Sequence, residues 1–331
     1  EFKDSAKKQD IINPSSGKVI ARVAVAGEND VGLAISSARA ASDNGAWPNF
    51  SLRKRKDFIL KINRVILDNA AELARLETLN TGKPIKESTF MDIPSAAKTF
   101  EYFANNLENY LKSEILELEN SQSKLIRQPQ GVVVLIVPWN YPLLIASWKM
   151  AQALAAGNTV ILKPSSLTPL TALELAKIIA GCGLPKGVVS IINGSGVELG
   201  ESLCSDKRVD MVSFTGSNEA GKQILRYTSE SVKKLIMELG GKSASVVFKD
   251  ADFEAAVNSG LCSIFLNQGQ MCTAMSRILI EDDIYDKFVN DFVEKARRIK
   301  LGDGLDYETQ MGPLISQAQR DKVSACVKKA K

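Results

Sequence analysis

The clearest pattern in the sequence is a series of short, uninterrupted apolar runs between residues 131 and 240. They lie at Val132–Val137, Thr159–Leu162, Val188–Ile192 and Met211–Phe214. Continuous runs rich in β-branched residues are typical of strands buried on both faces, and helices between such strands are typical of a covered parallel sheet. The pattern predicts an α/β fold with a doubly wound parallel sheet that binds ligands at the carboxyl ends of its strands. The intervening helices are expected at 142–156, 168–182, 197–204 and 217–229.

Amphipathic and extended segments lie on either side of this region. In residues 53–80, apolar side chains recur at helical spacing until Gly82, which predicts one long helix. A turn at Asn120 and Ser121 predicts two extended segments within Glu114–Arg127. The other predicted elements are helices at 28–44 and about 90–110 and, after residue 240, a second α/β unit with strands at 244–248 and 277–281 and helices at 252–266 and 284–300.

The composition is that of a soluble globular protein. Of the 331 residues, 45% are hydrophobic and 24% charged, and no apolar run reaches the roughly 18 residues that a membrane helix needs. The net charge of +4 is spread along the chain, which argues against a nucleic-acid partner. The N-terminus carries no signal-peptide pattern and no Met, so the sequence is expected to begin inside its gene.

Histidine is absent, which excludes histidine-based triads and histidine-ligated metal sites. Acid–base chemistry near neutral pH must then use a carboxylate, lysine, cysteine or tyrosine. The five cysteines are odd in number, widely spaced and form no C-x-x-C pair. They argue against a disulfide framework or a zinc site and favour a reducing, cytoplasmic setting. We therefore expect no metal and at most one nucleophilic thiol.

Polar or glycine-rich segments follow several of the apolar runs, at the edge where ligands are expected. The glycines of Phe214–Gly221 suit the approach of a backbone to pyrophosphate at a helix N-terminus, and Lys163 suits a ribose hydroxyl. Asn140, within Pro138–Pro142, is a candidate oxyanion donor, and Glu238, before paired glycines, is a candidate general base. Taken singly, the glycine segment and the Glu238 segment are explained equally well as a tight turn and a hinge, whereas Lys163 alone is better explained as a surface lysine and Asn140 alone as part of a capped proline turn.

Cys272 is the last residue of the most informative segment, which has the sequence NQGQMC. A reactive thiolate needs a polar and partly open setting, and this amide-rich segment can supply one. Cys182 and Cys204 fall inside predicted helices and are expected to be small buried hydrophobic residues. The pattern makes Cys272 the candidate nucleophile.

The motifs PWNYP, KPSS, FTGSNEAG, ELGGK and NQGQMC follow one another in this order, and in this respect the chain resembles the NAD(P)-dependent aldehyde dehydrogenases. The segments Asn13–Gly17 and Met311–Ile315 also fit, so the resemblance covers essentially the whole chain. It implies a Rossmann-like cofactor domain (1–110 and 128–240), part of a bridging and oligomerisation β element (111–127), and the N-terminal part of an α/β catalytic domain (241–331).

The resemblance also implies a role for each motif. Cys272 would attack the aldehyde, Asn140 and the Cys272 backbone N–H would form the oxyanion hole, and Glu238 would be the base that hydrolyses the thioester. None of these steps requires a histidine or a metal. The residues expected around the cofactor are Val137, Pro138, Trp139, Lys163, Ser166, Gly196, Phe214, Gly216, Ser217, Gly221 and Leu239.

Two departures from the family pattern bear on function. Ser166 stands where many relatives have a glutamate that binds the adenosine ribose and repels a 2′-phosphate, so NAD is the expected cofactor and NADP stays open. The last third of the family's chain is absent, including an EIFGPV-like stretch that holds the nicotinamide ribose and a strand used in oligomerisation. The full-length protein is expected to be a homodimer or homotetramer, and these residues by themselves are not expected to suffice for activity.

The segment WNYPLLIASWK resembles the betaine-aldehyde and aminoaldehyde branch, in which Tyr141 and Trp148 would help to form an aromatic box for a cationic group. Leu266 departs from it, standing where some of that branch carry another Trp. The expected function is oxidation of an aldehyde, with ω-aminoaldehydes and betaine aldehyde as candidate substrates, to the acid. Two alternatives stay open: a CoA-acylating semialdehyde dehydrogenase, which would not need Glu238, and a catalytically silent structural or binding protein on the same scaffold.

Overall fold

The computed structural model describes residues 2–330 and has an α/β architecture. Its strands are β1 (Lys8–Ile12), β2 (Val19–Ala24), β3 (Glu114–Leu118), β4 (Ser121–Leu125), β5 (Val132–Ile136), β6 (Thr159–Lys163), β7 (Val189–Ile191), β8 (Met211–Thr215), β9 (Lys234–Glu238), β10 (Ala244–Val247) and β11 (Arg277–Ile280). Its helices are α1 (Glu28–Asp43), α2 (Leu52–Asp68), α3 (Ala70–Thr81), α4 (Ile85–Glu87), α5 (Ile93–Asn105), α6 (Leu107–Leu111), α7 (Pro142–Ala155), α8 (Leu170–Gly181), α9 (Gly196–Ser205), α10 (Asn218–Thr228), α11 (Phe253–Phe265), α12 (Tyr285–Arg297) and α13 (Gln317–Ala330).

The central sheet has the strand order β7-β6-β5-β8-β9, and all its pairs are parallel. β5 and β6 are buried at every position. Val133 and Leu135 of β5 pack with α2, α5, α7 and α8, whereas Val132 and Val134 pack with α1, α9 and α10. The doubly wound parallel sheet predicted from the apolar runs is confirmed, and its strands lie within about two residues of their predicted bounds.

The helical region before the sheet differs from the prediction in two places. The predicted helix 53–80 is wrong as one element, because α2 and α3 are separated at Asn69. The Asn69 side chain donates to the carbonyl of Val65 at 2.8 Å and so caps the first helix with an amide. The predicted helix of about 90–110 is also divided, since a π-helical segment at Ser88–Asp92 precedes α5, and Asn106 separates α5 from α6.

Two antiparallel hairpins lie outside the central sheet. β1 pairs with β2, a hairpin that the pattern of residues did not predict. β3 pairs with β4, which confirms the extended segments around the turn at Asn120 and Ser121. This second hairpin exposes the apolar side chains of Ile115, Leu116 and Leu118.

The second α/β unit contains a parallel pair of strands, β10 and β11, as predicted. Val247, Val257 and Phe288 form its small core between the strands and helices α11 and α12. The predicted division into cofactor, bridging and catalytic domains stays a prediction. Within residues 2–330, no helix is long and apolar enough to span a bilayer.

Candidate active site

The segments that the sequence singled out meet at the carboxyl edge of the central sheet. Asn140 follows β5, Lys163 ends β6, Gly216 follows β8 and Glu238 ends β9. Backbone hydrogen bonds tie neighbouring connections together: Val137 N–H donates to the Lys163 carbonyl at 3.1 Å, and Gly216 N–H donates to the Glu238 carbonyl at 3.0 Å. This convergence follows from the parallel register, because every strand delivers its next loop to the same edge.

Cys272 follows a turn in which three successive residues adopt left-handed backbone angles. Asn267, Gln268 and Gly269 have φ values of 48°, 58° and 73°. For a residue other than glycine this conformation costs about 1–3 kcal/mol, so neighbouring groups must hold it. The buried Asn267 side chain donates to the carbonyl of Asn140 at 3.0 Å. Beyond the turn, the Cys272 residue is exposed.

Two glutamines complete the support of this turn. The backbone N–H of Gln270 donates to the Asn267 carbonyl at 2.9 Å, and its side-chain oxygen accepts from Ile315 N–H at 3.1 Å. The Gln268 side chain donates to the carbonyl of Gly82 at 3.3 Å. The amide-rich composition of the NQGQMC segment therefore supplies the hydrogen bonds that hold its own backbone.

Asn140 is hydrogen-bonded to the cysteine segment. Its Nδ2 donates to the Gln270 carbonyl at 2.8 Å, and since an amide nitrogen carries two protons, one remains for a ligand. Among the described residues, its buried Oδ1 accepts no hydrogen bond. The glycines after Glu238 are also close, because a Cβ added to Gly241 would lie 3.5 Å from the Cys272 carbonyl oxygen. The structure thus brings together the segments that carry Asn140, Glu238 and Cys272.

Lys149 is a site residue that the sequence did not suggest. Its Nζ donates to the hydroxyl of Ser213 at 2.8 Å. Burial lowers the pKa of Lys149 to about 8, and the nearby Glu238 carboxylate opposes this shift. A single lysine within an apolar helix gives no sequence signal, and only the packing of α7 on the sheet brings it towards Glu238.

Two of the predicted cofactor residues, Lys163 and Gly196, lie close together. Burial lowers the pKa of the Lys163 ammonium to about 8, and this group donates to the Pro164 carbonyl at 3.0 Å. A Cβ added to Gly196 would lie 3.9 Å from the Lys163 Nζ. Gly196 therefore places no side chain of its own beside this buried ammonium, at the first turn of α9, and contact of the ammonium with a dinucleotide stays a prediction.

The other cofactor candidates surround the N-terminus of α10. Ser217 caps this helix by accepting from Ala220 N–H at 3.2 Å. Gly221 packs against Leu239, since an added Cβ would lie 2.8 Å from Leu239 Cδ2, and Gly216 packs against the Phe214 ring. A Cβ at either glycine would displace the neighbouring side chain, and contact of these glycines with a ligand stays a prediction.

The remaining cofactor candidates lie along the loops after β5 and β6. Pro138 and Trp139 are half-buried, and the Trp139 carbonyl accepts from the Thr168 hydroxyl at 3.1 Å. Ser166 is half-buried, and its carbonyl accepts from the Gln9 side chain at 2.9 Å. Within residues 2–330 there is no cluster of side chains suited to a metal ion.

The two aromatic candidates on α7 have different surroundings. Tyr141 is half-buried, and the Nζ of Lys83 lies 3.9 Å from its ring centroid. Trp148 is 47% exposed. It lines a groove between α5 and α7, and Tyr102, Phe103 and Lys98 also line this groove. The Cys272 thiol is among the neighbours that raise the pKa of Tyr141, after burial, the first cause. Tyr141 directly follows Asn140, whose carbonyl accepts from Asn267 of the cysteine segment, and Trp148 lies farther out.

A parallel nucleotide-type sheet whose carboxyl edge gathers a cysteine, an amide donor and a carboxylate defines a class of dehydrogenase-like α/β proteins. The model of the aldehyde dehydrogenase family matches residues 2–331, and the chain belongs to this family. This confirms the resemblance inferred from the ordered motifs.

Individual relatives agree with this assignment. The chain is 47% identical to betaine aldehyde dehydrogenase of Bacillus subtilis over 98% of its length and 66% of the relative. It is 39% identical to the NADP/NAD-dependent aldehyde dehydrogenase PuuC of Escherichia coli over 96% of its length and 64% of the relative. The crystal structure of betaine aldehyde dehydrogenase from Staphylococcus aureus in complex with NAD+ superposes with a TM-score of 0.95 at 40% identity, covering 99% of this chain and 66% of that one. The chain spans about two thirds of the length of these relatives.

Replacing Ser166 by glutamate is predicted to shift cofactor preference from NADP towards NAD. A carboxylate at this position would accept from a ribose hydroxyl and repel a 2′-phosphate, with an effect of about 1–3 kcal/mol. The corresponding change in the ratio of the two dissociation constants is roughly five- to 150-fold. Titration of the full-length protein with each cofactor measures it. Ser166→Ala, which adds no charge, serves as the control, and an unchanged ratio in Ser166→Glu would mean that residue 166 lies away from the adenosine ribose.

Proposed function

We propose that the protein oxidises an aldehyde to the carboxylic acid with NAD(P), using Cys272 as nucleophile, Asn140 as oxyanion donor and Glu238 as hydrolytic base. The observation that carries this proposal is the 2.8 Å hydrogen bond from Asn140 Nδ2 to the Gln270 carbonyl, because it fixes the amide beside the segment that presents the thiol. Family membership supports the reaction class.

The first half of the proposed reaction depends on oxyanion stabilisation. The Cys272 thiolate adds to the aldehyde carbon, and the oxygen that becomes negatively charged accepts hydrogen bonds from the second N–H of Asn140 and the backbone N–H of Cys272. A nicotinamide, when bound, supplies the hydride acceptor at this stage. Asn140 needs no rearrangement to act, because its amide is already held by Gln270.

The second half removes the acyl group from the cysteine. Glu238 takes a proton from water, the water oxygen adds to the thioester carbonyl, and collapse expels the Cys272 thiolate and releases the acid. The Glu238 carboxylate lies close enough to the Lys149 ammonium to favour the charged form of the lysine.

The cofactor would lie along the carboxyl edge of the central sheet. Lys163 would bind ribose hydroxyls, and the N-termini of α9 and α10, capped by Ser195 and Ser217, would receive the pyrophosphate. We propose NAD as the cofactor, with NADP also accepted because Ser166 carries no charge. One relative is named as an NADP/NAD-dependent aldehyde dehydrogenase.

We also propose the predicted division of the chain, with residues 1–110 and 128–240 binding the cofactor and 241–331 contributing to catalysis. The hairpin of β3 and β4 within 111–127 would join subunits of a homodimer or homotetramer in the full-length protein. Its exposed Ile115, Leu116 and Leu118 support an association role, since apolar side chains clustered on a two-stranded hairpin are otherwise left in water.

The substitution Cys272→Ala is predicted to abolish aldehyde oxidation in the full-length protein while cofactor still binds. The chain has no histidine and no other thiol beside Asn140. We expect kcat to fall by roughly 10³-fold or more, with the dissociation constant of NAD unchanged. Cys262→Ala removes another exposed thiol and should have no effect. Activity near wild type in Cys272→Ala would refute the assignment and favour a silent scaffold.

The substitution Glu238→Gln is predicted to separate the two halves of the reaction. The amide cannot take a proton from water, so hydride transfer proceeds while thioester hydrolysis slows. Rapid-quench kinetics should show a burst of about one NADH per site and then a slow steady state. Glu230→Gln, at an exposed glutamate in the turn before β9, is the matched control. Equal slowing of burst and steady state, or release of the acyl group only when CoA is added, would contradict the base role.

For the substrate, we propose a preference for aldehydes that carry a cationic group. Tyr141, at the N-cap of α7, and Trp148 lie seven residues apart. Tyr141 follows Asn140, whose carbonyl accepts from Asn267 of the cysteine segment, and Trp148 lines the outer groove. Two relatives are betaine aldehyde dehydrogenases by name. Lys83 already occupies one face of Tyr141, and Lys98 lines the groove, so the substrate cation would use the remaining ring surfaces.

This preference is testable with kcat/KM for 4-aminobutyraldehyde and butyraldehyde. Loss of either aromatic ring (Tyr141→Ala, Trp148→Ala) should reduce the preference for the cation by roughly two- to thirtyfold, as expected for about 0.5–2 kcal/mol of cation–π attraction per ring. Lys98→Gln should strengthen the preference, because a like charge is removed from the groove. A wild-type preference for butyraldehyde, or a cation preference that survives both aromatic substitutions, would defeat the proposal.

A further inference from the structure

A group of buried charged side chains lies directly beneath the cysteine segment. Lys83 and Asp92 are almost fully buried and form an ion pair at 2.5 Å. Glu77 is fully buried and accepts from the Thr171 hydroxyl at 2.6 Å. Isolated charges in such surroundings are strongly disfavoured, so their retention needs a compensating arrangement.

Glu87 is the member of this group that reaches the cysteine segment. It is the last residue of α4. Its carboxylate accepts from the backbone N–H of Asn267, whose nitrogen lies 3.1 Å from Oε2 and 3.3 Å from Oε1. Within residues 2–330, this N–H is its hydrogen-bond partner, and no ammonium or guanidinium group lies within ion-pair distance of it. Burial raises the pKa of Glu87 to about 7, and the Lys83 ammonium opposes the shift.

The bonded N–H belongs to the first residue of the left-handed turn. Asn267 enters this turn at a φ of 48°, is buried, and donates its N–H to the Glu87 carboxylate. A buried N–H without an acceptor costs about 1–3 kcal/mol. The Glu87 carboxylate removes this cost and so favours the strained conformation that presents Cys272.

We infer that Glu87 is a positioning residue, which holds the turn at Asn267 and through it the orientation of Cys272 relative to Asn140. The inference rests on the proposed function and adds to it a carboxylate that touches neither substrate nor cofactor. The hydrogen bond between Glu87 and Asn267 joins the first part of the chain to the cysteine segment, and the two residues are 180 positions apart in the sequence.

The test compares three substitutions in the full-length protein. Glu87→Ala removes the acceptor, Glu87→Gln keeps an acceptor oxygen without the charge, and Glu87→Asp keeps the charge but withdraws it by one methylene. We expect kcat to fall by roughly 10²-fold in Glu87→Ala and Glu87→Asp, as for a small misplacement of a reacting group, with KM for NAD unchanged. Glu87→Gln should retain most of the activity. Glu101→Ala, on the exposed side of α5, is the matched control.

Hydrogen exchange of residues 266–272 provides a second readout that does not depend on catalysis. Exchange should accelerate in Glu87→Ala and Glu87→Asp and stay slow in Glu87→Gln. If wild type oxidises no aldehyde, the proposed function fails while this exchange pattern still tests the positioning role. Equal losses of kcat in Glu87→Gln and Glu87→Ala, or exchange that none of the three substitutions changes, would overturn the inference. Should Glu87→Ala not fold, Glu87→Asp carries the same comparison.

Discussion

Strand β5 is buried on both faces and paired on both edges, and the rest of the structure follows from this constraint. Its backbone groups have no access to water, so β6 and β8 must satisfy them in parallel register. Its alternating side chains then need a helical layer on each side. The chain that leaves its carboxyl end can turn only over the edge of the sheet. This turn sets Asn140 beside the cysteine segment, where the Gln270 carbonyl accepts from the Asn140 amide.

The parts predicted well are those in which burial dictates residue type. Uninterrupted β-branched runs such as Val132–Val137 are typical of strands that are covered on both faces. The sequence therefore predicted the sheet and the helices between its strands. The hairpin of β1 and β2 was missed because its strands are mostly exposed or half-buried and lack a strong alternation. The break at Asn69 was missed because an asparagine amide can cap a helix or lie on its surface, and only tertiary packing decides between them.

The candidate site shows the same division. Asn140, Glu238 and Cys272 were selected as candidates because polar residues and glycines at strand ends depart from the apolar pattern around them, and the structure brings their segments together. Lys83 and Lys149 were not found, since lysine is ordinarily exposed, and the sequence gives no sign of its burial. Local motifs therefore predict which segments converge, whereas the charges that support them depend on contacts between distant parts of the chain.

The left-handed turn before Cys272 restricts which amino acids can replace its residues. Position 267 needs a side chain that tolerates a positive φ and also donates to the Asn140 carbonyl. Glycine meets the first requirement and lacks the donor, aspartate would bring a second carboxylate beside Glu87, and a β-branched residue would resist the backbone angle. Asparagine is almost the only residue that satisfies both requirements. Mutational tolerance at this position should thus be narrow, because the side chain must meet a backbone requirement and a hydrogen-bonding requirement at once.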